Sequence, residues 1–315
     1  MTLVLVVGVG RSGTSLLTGM LGQLGFHVPQ PEVKADDTNP RGFGEPAWVV
    51  EFHRRQLRKR RITVNDSRPE AFASSATAAD DPKALAELRA WLAPQLRGDT
   101  VVKDPRTVWF LALWERVAAD LDTPTAYVTM LRHPAEIVAS AKRSYGTWQT
   151  DASRTAAWLN VILETEHATR DARRAFVTYE ALLDDWVREL RGVGCEIGSE
   201  RLENVERHPT VEAFVDPTLH RSRVRWDELD VPARLRDLAE DTWEALREPA
   251  SRLDELRGEF AALHAEAEAI AQSSITAAKR RPRAAAAPPP SLGVRVARRV
   301  PRRWRRRLRA LLARS

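Results

Sequence analysis

The stretch VLVVGVGRSGTSLLTGMLGQLG, residues 4–25, runs from an aliphatic segment through a glycine-rich turn into helical spacing of Leu16, Leu17, Met20, Leu21 and Leu24. The continuous β-branched and aliphatic run over 2–9 predicts a parallel strand covered on both faces. The period that follows predicts a helix, which Gly25 ends. Such a turn aims backbone N–H groups and the positive end of the helix dipole at one point, where an anion belongs. Gly10, Arg11, Ser12, Gly13, Thr14 and Ser15 would hold it, since a guanidinium and three hydroxyls join the amides. Gly8 and Gly13 keep the spacing of GxxxxGK[ST], but Thr14 stands where that motif has its lysine. Without that lysine, and with no clear metal-binding aspartate after a later strand, a kinase or NTPase is disfavoured and the phosphate is expected to be handled without a metal.

Working outward, TVVKD (100–104), TAYVTMLR (125–132) and RAFVTYE (174–180) read as three more strands, alternating with helical patterns. That alternation implies an α/β fold, a parallel sheet of P-loop-like type flanked by helices and joined by right-handed crossovers. Residues 47–98 read as a helical insertion after the first βα unit, a cap over the carboxyl edge of the sheet. Residues 227–278 read as mostly charged helix. The expected organisation is one α/β domain over 1–278, an Ala/Pro-rich linker over 279–290 containing AAAAPPP, and a tail over 291–315.

With 315 residues, 43% of them hydrophobic, the chain can bury a substantial core. The one cysteine, Cys195, excludes an internal disulfide framework, and the seven histidines show no metal-ligand spacing with it, so no metal is expected. A start without a basic leader and the absence of 18 uninterrupted apolar residues predict a cytoplasmic protein, at most peripheral to a membrane. Of the 49 Lys and Arg, 14 fall in residues 279–315 with no acid among them, which leaves 35 basic against 43 acidic side chains elsewhere. An acidic body argues against a nucleic-acid partner. In the tail, Val300, Trp304, Leu308, Leu311 and Leu312 recur between arginines. This is the pattern of a basic amphipathic helix that could lie on an anionic membrane surface at the inner face.

GVGRSGTSLL together with YVTMLRHPAEIVASAKRSYG (127–146) resembles the sulfotransferases that use 3'-phosphoadenosine 5'-phosphosulfate (PAPS), in particular their bacterial, carbohydrate and tyrosylprotein branches. The resemblance covers roughly residues 1–230. It implies that the first motif holds the 5'-phosphosulfate and that Arg132 and Ser140 hold the 3'-phosphate. VVKDPR (101–106) is similar to the family's KDP stretch and assigns Lys103 to the transferring sulfuryl group. NPRGFGE (39–45) resembles an NPxGxxE loop whose glutamate, here Glu45, lies near the acceptor. The chain lacks the carboxyl-terminal RxGxxGDWK-like motif of the small-molecule branch, so adenine contacts do not carry over; LHRSR (219–223) offers Arg221 and Arg223 as late cofactor contacts.

Sulfuryl transfer passes charge to the leaving phosphate, so it needs cations at the bridging oxygen and a base at the acceptor hydroxyl. On the resemblance, Arg11 and Lys103 take the first role and Glu45 the second, with His27 as a competing base. The implied acceptor is a hydroxyl of a glycan, glycolipid or secondary metabolite, lipid-linked acceptors included. The alternatives are a nucleotide-binding P-loop protein or degenerate kinase, and an inactive scaffold recruited by its tail. Trp91, Trp109, Trp114, Trp148 and Trp158 fall in helical patterns and are expected in the core rather than as stacking platforms.

Overall fold

The computed structural model describes residues 1–280, apart from 37, 38, 40, 147, 216–223 and 248–251. Arg221, Arg223, the tail over 291–315 and nearly all of the linker therefore lie outside the described residues. The chain divides into two compact units, Met1–Ala265 and Glu266–Ser315. The first holds the sheet and the candidate site. The described part of the second is helical.

Four strands, β1 (Leu3–Val7), β2 (Thr100–Lys103), β3 (Thr125–Leu131) and β4 (Arg173–Thr178), form a parallel sheet in the order β2-β1-β3-β4. β1 is central and buried along its whole length. Its side chains alternate between two cores, Leu3, Leu5 and Val7 on one face and Val4 and Val6 on the other, as the period of two requires. The strand ends before the expected residue 9 because Gly8 takes φ 134°, a backbone conformation closed to most side chains.

The helices follow as α1 (Thr14–Gln23), α2 (Ala47–Arg60), α3 (Glu70–Ala76), α4 (Pro82–Leu92), α5 (Leu111–Asp120), α6 (Pro134–Tyr145) and α7 (Asp151–Ala168). After β4 come α8 (Tyr179–Asp184), α9 (Trp186–Ile197), α10 (Glu200–Glu203), α11 (Pro209–Phe214), α12 (Ala233–Ala245) and α13 (Leu253–Arg280). The insertion over 47–98 is helical as expected. Its helices cover the Leu3/Leu5/Val7 face through Val49, Phe52, Leu57, Leu88 and Leu92, alongside Trp114 of α5. At the carboxyl edge the loop leading into the insertion brings Phe43 and Glu45 to Lys103, and α2 brings His53 to Asp104, the residue after the end of β2. α1 and α9 cover the other face, and a third core joins α7, α12 and the start of α13.

Two expectations about side chains are corrected. His27 bridges Thr100, which is in register with Leu3 at the amino edge of the sheet, whereas Lys103 is in register with Val6. Three residues of strand rise put His27 about 10 Å from the carboxyl edge, so it is not a base for this site. Trp109, Trp114 and Trp158 are core residues and Trp91 is partly buried, but Trp148 is 71% exposed. It sits in the loop between α6 and α7, so helical periodicity does not govern it. Among the described residues no helix is long and apolar enough to cross a membrane.

Candidate active site

The loop between β1 and α1 is shaped by backbone constraints. Gly8 (φ 134°), Arg11 (φ 77°) and Gly13 (φ 100°) all have positive φ. A Cβ on Gly8 would lie 2.7 Å from the Met130 carbonyl oxygen, and one on Gly13 would lie 2.4 Å from the Tyr179 ring. Gly10 is different: a Cβ there would meet nothing within 4 Å, so the fold leaves open space beside it. No side chain caps α1, whose cap residue is Gly13, and its first amides remain available to an anion. Ser12 is 1% exposed and its Oγ has no hydrogen-bond partner. A buried hydroxyl left unpaired is costly unless something else satisfies it, and an anion in the loop would do so.

On one side of this loop stand Arg11, Arg132 and Ser140. Arg132 follows the end of β3 and Ser140 lies on α6, which Pro134 starts at its first position and the His133 side chain caps by accepting from the Ala135 amide. Arg11 Nε donates to Ser140 Oγ at 3.1 Å, and Arg132 donates to the Arg11 carbonyl oxygen at 3.3 Å. Arg132 is buried, donates through Nε to Glu136 at 2.9 Å, and lies 4.7 Å over the Tyr179 ring. The guanidinium is thereby oriented, with Glu136 offsetting part of its charge.

On the other side Lys103 and Glu45 form a buried pair at 2.7 Å. Lys103 Nζ also donates to Ser15 Oγ and to the Phe43 carbonyl oxygen, each at 3.1 Å, so its three protons are all committed. Burial pushes the Lys103 ammonium below the usual lysine range, and the charge of Glu45 only partly restores it. The loop that carries Glu45 is tied down by Val33 N–H donating to the Glu45 carbonyl oxygen at 2.8 Å and by Arg41 on Phe214.

Behind Lys103, on the opposite face of the sheet, lies Asp104, fully buried. Its Oδ2 is 2.8 Å from Nδ1 of His53 on α2, and its Oδ1 accepts from the Arg106 amide at 3.1 Å and from the Arg106 guanidinium at 2.6 Å. Burial opposes its charge, but the hydrogen bond from His53 and the positive charge of Arg106 prevail and bring Asp104 down to about 2. Trp114 Nε1 donates to His53 Nε2 at 3.0 Å.

The sequence candidates thus divide into two groups flanking one loop, and Arg11 joins the Arg132–Ser140 group rather than Lys103. Glu136, Tyr179, Asp104 and His53 were missed. Glu136, four residues after Arg132 and in the first turn of α6, was the readable one. A cavity of about 960 Å³ opens beside Glu136, bounded also by His133, Glu180, Arg225, Trp226 and Glu240. Among the described residues no cluster of His, Cys, Asp and Glu could hold a metal ion.

Comparison with known proteins adds three findings. No curated protein matches the chain. Among solved structures, the sulfotransferase domain from the Synechococcus PCC 7002 olefin synthase aligns over 79% of this chain and 95% of its own, at 21% identity and a TM-score of 0.45. The sulfotransferase domain from the curacin biosynthetic pathway aligns over 82% and 96%, at 14% identity and a TM-score of 0.42. The sequence model described as the sulfotransferase family matches residues 4–201, most of the chain and every described candidate above, and on that match the protein belongs to the sulfotransferase family.

Proposed function

We propose that this sulfotransferase takes its sulfuryl group from PAPS and delivers it to a hydroxyl of a glycan, glycolipid or secondary metabolite. The observation that carries this reading is the flanking of one phosphate loop by two separate cationic groups, Arg11 with Arg132 on one side and Lys103 on the other. A donor with a 3'-phosphate and a 5'-phosphosulfate has an anion for each; ATP has no 3'-phosphate.

In this reading Ser12 and the first amides of α1 hold the 5'-phosphate end. Arg132, Ser140 and Arg11 hold the 3'-phosphate, so Arg11 positions the donor rather than the transferring group. The cavity beside Glu136 takes the nucleoside, with Trp226 as a ring surface. Lys103 exchanges one of its three partners for the oxygen that bridges phosphorus and sulfur, and offsets the charge that develops there as the bond to sulfur breaks. Glu45 accepts the acceptor's proton as the new oxygen–sulfur bond forms. Its Oε1 is held by Lys103, which leaves Oε2 for the hydroxyl. We assign the domain to residues 1–278 and the tail to an anionic membrane surface, for which co-sedimentation with anionic vesicles, with and without residues 284–315, is the test.

The deciding experiment compares thermal stabilisation by PAPS, by its desulfated product and by ATP with magnesium, then seeks added sulfate by mass spectrometry on fractionated acceptors. Binding only the folded state stabilises by about 2.7 kcal/mol at a hundredfold excess over Kd. Equal shifts from ATP and PAPS overturn the reading.

A further inference from the structure

We propose that His53 is a positioning residue that sets the Lys103–Glu45 pair by clamping α2 to Asp104. The inference rests on the reading of Lys103 and Glu45 given above. Chain connectivity is the first argument. Glu45 lies two residues before the start of α2, and Lys103 lies one residue before Asp104. A contact between α2 and Asp104 therefore joins the loop that carries the base to the strand that carries the ammonium.

The second argument is the alternation of the strand. Val101 packs into the core on one face of the sheet and Val102 into the other. Lys103 accordingly reaches Ser15 and Glu45 on the first face, while Asp104 reaches His53 on the second. With Asp104 held from behind, the backbone that presents Lys103 is fixed from both sides of the sheet.

The third argument is the protonation pattern of the imidazole. An indole N–H can only donate, so Trp114 makes Nε2 of His53 an acceptor and leaves the proton on Nδ1, where it is donated to Asp104. The ring is 0% exposed and stacks on Phe110 with centroids 5.1 Å apart. Neither nitrogen is left over, and the ring has no room to turn. Such second-layer contacts hold reacting groups within the fraction of an ångström that transfer requires, and a 1 Å error costs about 10²-fold in rate.

Two amides separate the two nitrogens. In His53→Asn the side-chain NH₂ falls where Nδ1 was and still donates to Asp104, but Trp114 loses its acceptor. In His53→Gln the amide falls where Nε2 was and can serve Trp114, but Asp104 loses its donor. Sites are counted by titration with the desulfated donor, so that rates refer to folded enzyme. The expected result is that His53→Asn retains kcat within about threefold, while His53→Gln loses about 10²-fold in kcat with donor KM little changed. In a Lys103→Ala background the Gln substitution should cost far less than in the wild type, because coupled residues are not additive. Equal kcat per site for Asn, Gln and wild type overturns the inference, as does an equal loss in both variants or a Gln effect undiminished by Lys103→Ala. If Lys103→Ala and Glu45→Gln themselves retain wild-type kcat, the reading of the site fails and the inference falls with it; if both are impaired while His53→Gln is not, the inference alone fails.

Discussion

Arg11 Nε donates to Ser140 Oγ at 3.1 Å, so the glycine-rich loop after the first strand is latched to a helix that starts after the third. Arg132 closes the same latch by donating to the Arg11 carbonyl oxygen. Removing Arg132 leaves Glu136 without its guanidinium, facing the position proposed for a phosphate. Arg132→Ala should raise donor KM about tenfold or more, the worth of a charge-assisted hydrogen bond, with a smaller effect on kcat. Adding Glu136→Gln should recover part of the loss. Steady-state kinetics over a range of donor concentrations checks both, and a loss confined to kcat would contradict the assignment.

Ser12 offers a test in which stability and binding move in opposite directions. Its Oγ is buried without a partner, so Ser12→Ala should stabilise the ligand-free protein by about 1 kcal/mol while weakening donor binding. Urea unfolding without ligand and titration calorimetry with the donor read the two effects separately.

Gly13 has φ 100° and no space for a methyl group against Tyr179. Gly13→Ala should cost about 1–3 kcal/mol from backbone conformation alone, and displacing the Tyr179 ring should disturb Arg132 and donor affinity as well. Gly10→Ala, with nothing within 4 Å of its Cβ, should leave unfolding unchanged. Any effect of that variant on donor binding would report a ligand in the open space.

Lys103 is held below the ordinary lysine value of 10.5, chiefly by burial. Its charge, and the contribution of that charge to transfer, is full at low pH and is lost as pH rises through the lowered value. The alkaline limb of kcat should therefore fall below pH 10.5. Lys103→Arg should remove that limb while lowering kcat, since arginine keeps its charge at higher pH. A profile with its limb at or above 10.5 would show that another group sets it.

Asp104 is held at about 2 against an ordinary 3.8. A carboxyl depressed in the folded state stabilises above its unfolded value, and the contribution disappears as pH falls through the folded one. It should supply about 2 kcal/mol that is lost between roughly pH 4 and pH 2. Unfolding free energies across that window should fall less steeply for Asp104→Asn than for the wild type.

The sheet was readable because parallel strands buried on both faces are near-continuous apolar runs, and all four emerge within one residue of their expected bounds, apart from the carboxyl ends of β1 and β4, which fall two residues short. The second of these ends early because Tyr179 begins a helix capped by Thr178. Glu136, Tyr179, Asp104 and His53 were missed, whereas Arg11, Glu45, Lys103, Arg132 and Ser140 were readable as residue types at motif positions. Their grouping was not. Arg11 turns toward Ser140 because its own φ is positive, which spacing along the chain does not reveal. His53 reads as one more residue of α2, and only the tertiary fold gives it its partners, Asp104 after β2 and Trp114 on α5. His27 follows a helix-ending glycine, a position compatible with either edge of the sheet until its pairing with Thr100 is known.

The central place of β1 also bears on biosynthesis. Leu3 pairs with Thr100 on one side and Thr125 on the other, and Gly13 packs against Tyr179. The glycine-rich loop thus leaves the ribosome well before the segments that support it. Non-local pairing of this kind makes folding slow and leaves apolar strand exposed in the meantime. Nascent chains that stop between β1 and β4 should therefore depend on chaperones, and the first motif to be synthesised is among the last to take its working shape.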